Sequence, residues 1–230
     1  ERGRYMQNNT SAFDVGRDIM NQLYPAYPSI AQAYGVVAEF LFQNPGMQSS
    51  RIPERITAEF LMKHAQSFFN GRQSNGPVIP RTIPDERIRD VLEAAYSVPP
   101  DRLDEAIRYH MEAMGAENFI GWILESYIAW QAEQIGWAWC SGAIIRAVDF
   151  IKPTGQGKWE LLQVKNRSNS ENSSSSRVRL GTDIRKWFRV YANNGRTNWE
   201  SFPDAALRTR LSEEGFRNYI VSWIQQNFRQ

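Results

Sequence analysis

Residues 143–165, AIIRAVDFIKPTGQGKWELLQVK, contain the pattern on which the expected fold depends. Two apolar segments flank the polar run TGQG at residues 154–157, which is typical of a turn between paired β-strands. We therefore expect one strand over residues 143–151 and a second over residues 159–165. The aromatic segment at residues 137–140 predicts a further strand just before this hairpin.

An acidic side chain interrupts the first of these apolar segments. Asp149 stands between Val148 and Phe150, where an ionised carboxylate is costly unless a cation pairs with it. In the second strand, Gln163 and Lys165 are two positions apart and therefore share one face. A hairpin would bring Asp149, Gln163 and Lys165 together at one rim of the sheet.

This expected cluster has the composition of a site for metal-assisted phosphodiester hydrolysis. In such sites oxygen ligands hold Mg²⁺, the metal polarises the phosphate and activates a bound water, and a lysine stabilises charge or orients that water. A structural ion pair between Asp149 and Lys165 is the alternative interpretation of the same residues.

Helical patterns surround the expected strands. Before them, apolar residues recur at helical spacing over residues 10–23, 30–42, 55–69, 84–96, 99–114 and 117–134. After them, residues 182–191 and the stretch around Trp223 and Phe228 are also expected to be helical. The order of elements predicts an α/β (α+β) fold, with a helical N-terminal region over residues 1–115 and a core over residues 116–230.

Composition restricts the class of protein and the kind of metal site. Hydrophobic residues make up 42% and aromatic residues 13% of the 230 positions, which predicts a folded core. No apolar run approaches the roughly 20 residues that a transmembrane helix needs, and no secretory signal is visible. One cysteine and two histidines are too few for a zinc cage, so oxygen atoms would hold any metal. We expect a cytoplasmic protein.

Charge is distributed unevenly along the chain. Residues 1–157 carry 14 Lys and Arg against 18 Asp and Glu, whereas residues 158–230 carry 13 against 7. Arginine outnumbers lysine 22 to 5, and its planar guanidinium can pair with phosphate or guanine through two hydrogen bonds. The C-terminal third is therefore expected to bind a polyanion. The alternative interpretation of this charge distribution is an ordinary charged surface.

The candidate residues resemble the PD-(D/E)XK nuclease superfamily, because Asp149 is followed on the next strand by Gln163, Val164 and Lys165, and a preceding helix carries Glu125. The resemblance implies a restriction-endonuclease-like core with a mixed central sheet flanked by helices. It implies a metal site at Asp149, Gln163 and Val164. It also implies catalytic roles for Asp149, Gln163, Lys165 and Glu125. The implied cofactor is Mg²⁺, with Mn²⁺ as a substitute and Ca²⁺ supporting binding without cleavage.

Two positions depart from the superfamily pattern. Val148 stands where the superfamily has proline, which is dispensable, and Gln163 stands where an acid is usual. A glutamine supplies only a neutral ligand. Glu160 from a distorted strand, or Glu125 from the helix, could provide the missing carboxylate.

A longer and more specific resemblance covers residues 117–204, which look like the SinI-type restriction endonucleases, particularly at residues 164–179, 181–188 and 197–203. It implies a bacterial type II restriction enzyme of a restriction-modification system. Such an enzyme would hydrolyse double-stranded DNA as a homodimer at a short G/C-rich palindrome of the GGWCC kind. A cognate DNA methyltransferase would be its genetic partner.

The expected DNA-contacting segment covers residues 166–200. Its hydroxyl and amide groups can contact phosphate oxygens, and its basic side chains are expected around a helix start. A flexible linker is the alternative for residues 172–176. The candidate side chains are Asn166, Arg167, Asn172, Ser173, Ser174, Ser175, Ser176, Arg177, Arg179, Arg185 and Lys186.

Three other functions fit parts of the sequence. A repair or junction-cutting nuclease of the same fold would lack sequence-specific double-strand cleavage. A DNA-binding regulator that has lost its metal site would explain Gln163. A glycosidase could use Glu125 and Asp149 as a carboxylate pair, but Lys165 and the basic C-terminal third favour a phosphate substrate.

Overall fold

A computed structural model describes residues 11–50, 52, 54–169 and 182–228. The described residues form seven α-helices and four β-strands. The helices are α1 (Ala12–Leu23), α2 (Pro28–Gln43), α3 (Ala58–Asn70), α4 (Arg87–Tyr96), α5 (Leu103–Ala132), α6 (Ala205–Arg208) and α7 (Glu213–Asn227). The strands are β1 (Ala138–Trp139), β2 (Phe150–Gly155), β3 (Lys158–Arg167) and β4 (Ile184–Val190). None of these helices is both long enough and apolar enough to cross a bilayer.

The four strands form one mixed sheet in the order β1-β2-β3-β4. Strands β1 and β2 pair antiparallel, β2 and β3 form the expected antiparallel hairpin, and β4 runs parallel to β3. Phe150 lies opposite Leu162 in the hairpin, and Gln163 lies opposite Lys186 across the parallel pair. The prediction of a mixed α/β chain is confirmed.

The prediction of a helix over residues 182–191 is wrong, because residues 184–190 form β4. Ile184, Trp187 and Tyr191 recur at helical spacing, which explains the error. In the structure these residues pair with β3, and tertiary pairing of this kind commonly overrides a local pattern. The basic side chains of this segment therefore lie on a strand and not around a helix start.

A strand was expected from residue 143 to residue 151, but the observed strand β2 begins only at Phe150. Ala143 and Ala147 have φ angles of 53° and 56°, which belong to the left-handed region and interrupt an extended chain. Asp149 consequently lies at the entrance to β2 and not inside a strand.

A single helix, α5, replaces the two helices expected over residues 99–114 and 117–134, and it runs across the expected boundary at residue 115. Gly115 does not break it. A Cβ atom at Gly115 would lie 2.8 Å from the carbonyl oxygen of Val78, so glycine is required there for a close approach of the backbone. The division at residue 115 stays a prediction.

The described chain forms two compact units. One comprises described residues up to 74 together with residues 124–219, and the other comprises residues 75–123 together with described residues from 220 onward. The first unit contains the sheet, and helices α1, α2 and α3 cover it with a buried apolar cluster. Its most buried members include Met20, Tyr34, Val37, Phe40, Leu61, Phe68, Ala138 and Ile151.

The end of α3 packs directly against the segment that connects β1 and β2. The Ser141 hydroxyl donates to the carbonyl of Phe68 at 2.7 Å, and the Ser67 hydroxyl donates to the carbonyl of Gly142 at 3.1 Å. Gly142 has a φ angle of 78°, and a Cβ atom there would lie 2.4 Å from the carbonyl oxygen of Ser67. This contact holds the segment that leads to Asp149.

We expect Gly142→Ala to destabilise the protein more than Gly136→Ala, which serves as a matched control. Both glycines have positive φ angles, of 78° and 89°, so both alanines incur the left-handed penalty of roughly 1–2 kcal/mol. A Cβ atom at Gly136 meets nothing within 4 Å, whereas at Gly142 it meets the α3 backbone. The free energy of unfolding from chemical denaturation should therefore fall by roughly 1–3 kcal/mol more for Gly142→Ala. Equal losses would contradict the proposed close contact.

Candidate active site

Backbone pairing on both sides places Asp149 between two strands. Its amide donates to the carbonyl of Leu162 at 2.9 Å, and its carbonyl accepts from the amide of Cys140 at 2.8 Å. The carboxylate oxygen Oδ2 accepts a hydrogen bond from the backbone amide of Val164 at 2.7 Å. This hydrogen bond holds the side chain of Asp149 against the middle of β3.

Glu125 on helix α5 contributes a second carboxylate to the region around Asp149. Oε2 of Glu125 accepts a hydrogen bond from the indole nitrogen of Trp139 at 2.8 Å. The negative charge of Asp149 raises the pKa of Glu125, and the positive charge of Lys165 lowers it, so the three side chains lie within mutual electrostatic range. Residues 125, 149 and 165, which are far apart in the sequence, therefore belong to one region of the structure.

Burial is the main influence on both carboxylates. Loss of hydration raises the pKa of Asp149, and the hydrogen bond from Val164 together with the charge of Lys165 opposes this shift. Burial also raises the pKa of Glu125, and the like charge of Asp149 raises it further. Two adjacent buried carboxylates favour protonation unless additional positive charge stabilises them, and a bound cation would supply that charge.

Gln163 and Lys165 extend the site along β3. They share one face of the strand, as expected from their spacing. Gln163 is only 2% exposed, and Lys165 is partly buried. The amide of a glutamine offers a neutral oxygen donor that adds no further negative charge.

Glu160 does not join this cluster. It forms an ion pair with Arg185, and β3 is paired without a bulge between residues 160 and 163. A distorted strand that would swing Glu160 toward Asp149 is therefore not observed. Of the two carboxylates considered for completing the site, the structure brings Glu125 to it.

The donor set can be compared with the needs of a metal ion. The described residues contain no group of three or more His, Cys, Asp and Glu side chains with the arrangement of a metal site. Two carboxylates and an amide oxygen nevertheless offer oxygen donors alone, which is the ligand type that Mg²⁺ prefers. The repulsion between Glu125 and Asp149 fits a site that takes up a cation.

The expected DNA-contacting residues have different surroundings. Asn166 accepts a hydrogen bond from the guanidinium of Arg189 at 3.0 Å, and Arg167 is exposed at the end of β3. Arg185 is paired with Glu160, and Lys186 lies on β4 opposite Gln163. The remaining candidates, Asn172, Ser173, Ser174, Ser175, Ser176, Arg177 and Arg179, lie outside the described residues.

Sequence reasoning missed Trp139 and Arg189. The indole of Trp139 donates a hydrogen bond to the carboxylate of Glu125 on helix α5. Arg189 donates a hydrogen bond to Asn166, lies over the ring of Phe216 and forms an ion pair with Glu213. Trp139 stands in a segment that was expected to be a strand and Arg189 in one that was expected to be a helix, and neither pattern indicated these polar partners. Only the tertiary fold reveals these contacts.

Comparison with known proteins gives a consistent family assignment. The model of the SinI restriction endonuclease family matches residues 17–226. The chain is 36% identical over 226 residues to the type II restriction enzyme Eco47I of Escherichia coli, covering 95% of this chain and 98% of the relative. It is 38% identical over 205 residues to the type II restriction enzyme SinI of Salmonella infantis, covering 86% of this chain and 89% of the relative.

These matches span nearly the whole chain and include the helix, the hairpin and the strand that carry Glu125, Asp149 and Lys165. The chain therefore belongs to the SinI restriction endonuclease family, which makes it a site-specific deoxyribonuclease.

Proposed function

We propose that this restriction endonuclease cuts both strands of DNA at a short G/C-rich palindrome of the GGWCC kind, with Mg²⁺ as its cofactor and a PD-(D/E)XK-type core as its catalytic unit. The observation that supports the proposal is the position of Asp149, which accepts a hydrogen bond from the Val164 amide at the buried entrance to the hairpin and lies within electrostatic range of Glu125 and Lys165. A carboxylate pair beside a lysine is suited to hydrolysing a phosphodiester.

Asp149, Gln163 and the backbone carbonyl of Val164 would hold the metal, and Glu125 would complete the set. Bound Mg²⁺ supplies Lewis-acid polarisation of the scissile phosphate and activation of a water. The chain's own residues provide the geometry. The Val164 amide fixes the orientation of the Asp149 carboxylate, and the Trp139 indole fixes that of Glu125.

Lys165 has the second role in this proposal. Its ammonium group lies close enough to both carboxylates to lower their pKa values. A cation in that position can stabilise the negative charge that develops on the phosphate, or it can orient the attacking water. Burial strengthens either effect, because water screens the charge less.

The proposed partner is double-stranded DNA, bound by the basic C-terminal third. Residues 158–230 carry 13 Lys and Arg against 7 Asp and Glu, and the relatives are type II restriction enzymes. Arg185, Lys186 and the arginines at 177 and 179 are candidates for contacts with guanine or phosphate. We further propose a cognate DNA methyltransferase as the genetic partner.

We expect Asp149→Ala and Lys165→Ala each to lower the cleavage rate at least about a hundredfold while leaving DNA binding in Ca²⁺ largely intact. Digestion of genomic DNA with wild-type protein and Mg²⁺, followed by sequencing of the ends, identifies the site, and a time course on a duplex that contains this site then gives the cleavage rate of each variant. Lys158→Ala removes an exposed lysine from the other end of β3 and serves as the control, with activity unchanged. Cutting by either active-site variant at more than a tenth of the wild-type rate would contradict the assignment.

We expect Gln163→Glu to retain cleavage and to change the preference between Mg²⁺ and Mn²⁺. The substitution adds a third carboxylate beside Asp149 and Glu125, which should strengthen cation binding and increase repulsion in the metal-free protein. Cleavage at a series of Mg²⁺ and Mn²⁺ concentrations measures the first effect, and thermal unfolding with and without Mn²⁺ measures the second. Unchanged metal dependence in both assays would place residue 163 outside the metal site.

We expect a homodimer, because two identical sites related by a two-fold axis can cut both strands of a palindrome in one encounter. The oligomeric state is measured by sedimentation velocity, first of the protein alone and then of its complex with a GGWCC-containing duplex in Ca²⁺. A monomer under both conditions would exclude the dimer and would favour successive nicking of the two strands.

A further inference from the structure

Three tryptophans in the first unit donate their indole N–H to a carboxylate. Trp137 donates to Asp204 at 2.8 Å, and Trp199 donates to Glu213 at 2.9 Å. Trp139 donates to Glu125 at 2.8 Å. Of the three, Trp139 is the one whose partner belongs to the candidate active site.

Both backbone polar groups of Trp139 form hydrogen bonds with other side chains. Its amide donates to Oε1 of Glu133 at 3.1 Å, and its carbonyl accepts from Nη2 of Arg72 at 2.9 Å. The guanidinium of Arg72 also lies 5.3 Å from the centre of the Trp139 ring. Glu133 and Arg72 therefore hold the backbone of Trp139, and Arg72 also contacts the face of its ring.

Arg72 and Glu133 form a pair with two hydrogen bonds, of 2.7 and 3.2 Å. The side chain of Arg72 is 7% exposed and that of Glu133 is 22% exposed, so little water screens the pair. Two parallel N–H···O bonds restrict rotation of both groups, and a guanidinium is suited to this geometry. The chain of contacts runs from the end of α3 through β1 to α5.

We propose that Trp139 is a positioning residue for the metal site, which orients the carboxylate of Glu125 and is in turn oriented by the Arg72–Glu133 pair. The inference rests on the proposed function and adds a residue to it. Metal binding needs the ionised form of Glu125, which burial and the like charge of Asp149 disfavour, and the Trp139 indole donates a hydrogen bond to that carboxylate. Hydrogen bonds to ligating carboxylates typically account for 10- to 100-fold in metal affinity or activity.

Trp137 is a matched control within the same segment. It is 3% exposed and Trp139 is 4% exposed, and each donates to a carboxylate at 2.8 Å. The partner of Trp137 is Asp204, which caps α6 and pairs with Lys152 at 2.9 Å. Phenylalanine at either position removes the indole N–H and retains an aromatic ring.

The experiment compares Trp139→Phe with Trp137→Phe. Binding of Mn²⁺ to the protein alone is followed by electron paramagnetic resonance, and kcat and KM are measured on plasmid DNA. We expect Trp139→Phe to weaken Mn²⁺ binding about tenfold and to lower kcat about tenfold with KM for DNA unchanged. Trp137→Phe should change each value less than twofold. An unaffected Trp139→Phe, or an equal loss in both variants, would overturn the proposal.

A double-mutant cycle distinguishes positioning of Glu125 from general damage. If Trp139 acts through Glu125, then Trp139→Phe should have no further effect in a Glu125→Gln background. Multiplying losses would show that Trp139 acts elsewhere. If Trp139→Phe does not fold, Arg72→Lys keeps a cation opposite Glu133 and should weaken Mn²⁺ binding in the same direction, and its failure to do so would overturn the inference.

Asp149→Ala separates this proposal from the proposed function. If Asp149→Ala binds Mn²⁺ as wild-type protein does, the metal site is misplaced and both proposals fail. If Asp149→Ala loses binding while Trp139→Phe keeps it, only the positioning role fails.

Discussion

The hydrogen bond from the Val164 amide to the Asp149 carboxylate is the interaction on which the geometry of the candidate active site depends. It connects the entrance of β2 to the middle of β3, so it forms only in the register that pairs Phe150 with Leu162. A slip of one residue would exchange the two faces of β3 and move Lys165 away from the carboxylates. The site therefore depends on the strand register. The close contact between α3 and Gly142 holds the segment that leads to Asp149 and so supports the same register.

In the proposed metal site, the charges of the neighbouring side chains are compatible with a glutamine at position 163. Asp149 and Glu125 already raise each other's energy in a buried position, and Lys165 compensates only part of that cost. A third carboxylate would add repulsion in the metal-free protein. Taking the second carboxylate from α5 allows the strand to supply a neutral oxygen donor. The cost is that Glu125 must be oriented by contacts outside the hairpin, and Trp139 provides one.

The sequence predicted the parts of the structure that depend on local pattern. Two apolar segments around a glycine-containing turn indicated the β2–β3 hairpin, and the acid at Asp149 indicated where to look for a candidate site. The error at residues 184–190 arose because apolar spacing in β4 matches a helix, while pairing with β3 decides its structure. The roles of Trp139 and Arg72 could not be predicted, because their partners stand 14 and 61 residues away and come together only in the folded chain.

The parallel pairing of β4 with β3 determines what the basic C-terminal third can contribute. Arg185 and Lys186 are adjacent on a strand, so their side chains point to opposite faces of the sheet. Arg185 is paired with Glu160, which offsets its charge. Lys186 lies opposite Gln163 in register, and register partners in a parallel pair share a face. In the proposed complex with DNA the two residues are therefore not equivalent: Lys186 lies on the face of the sheet that carries Gln163 and Lys165, whereas Arg185 would have to leave Glu160 to reach a phosphate.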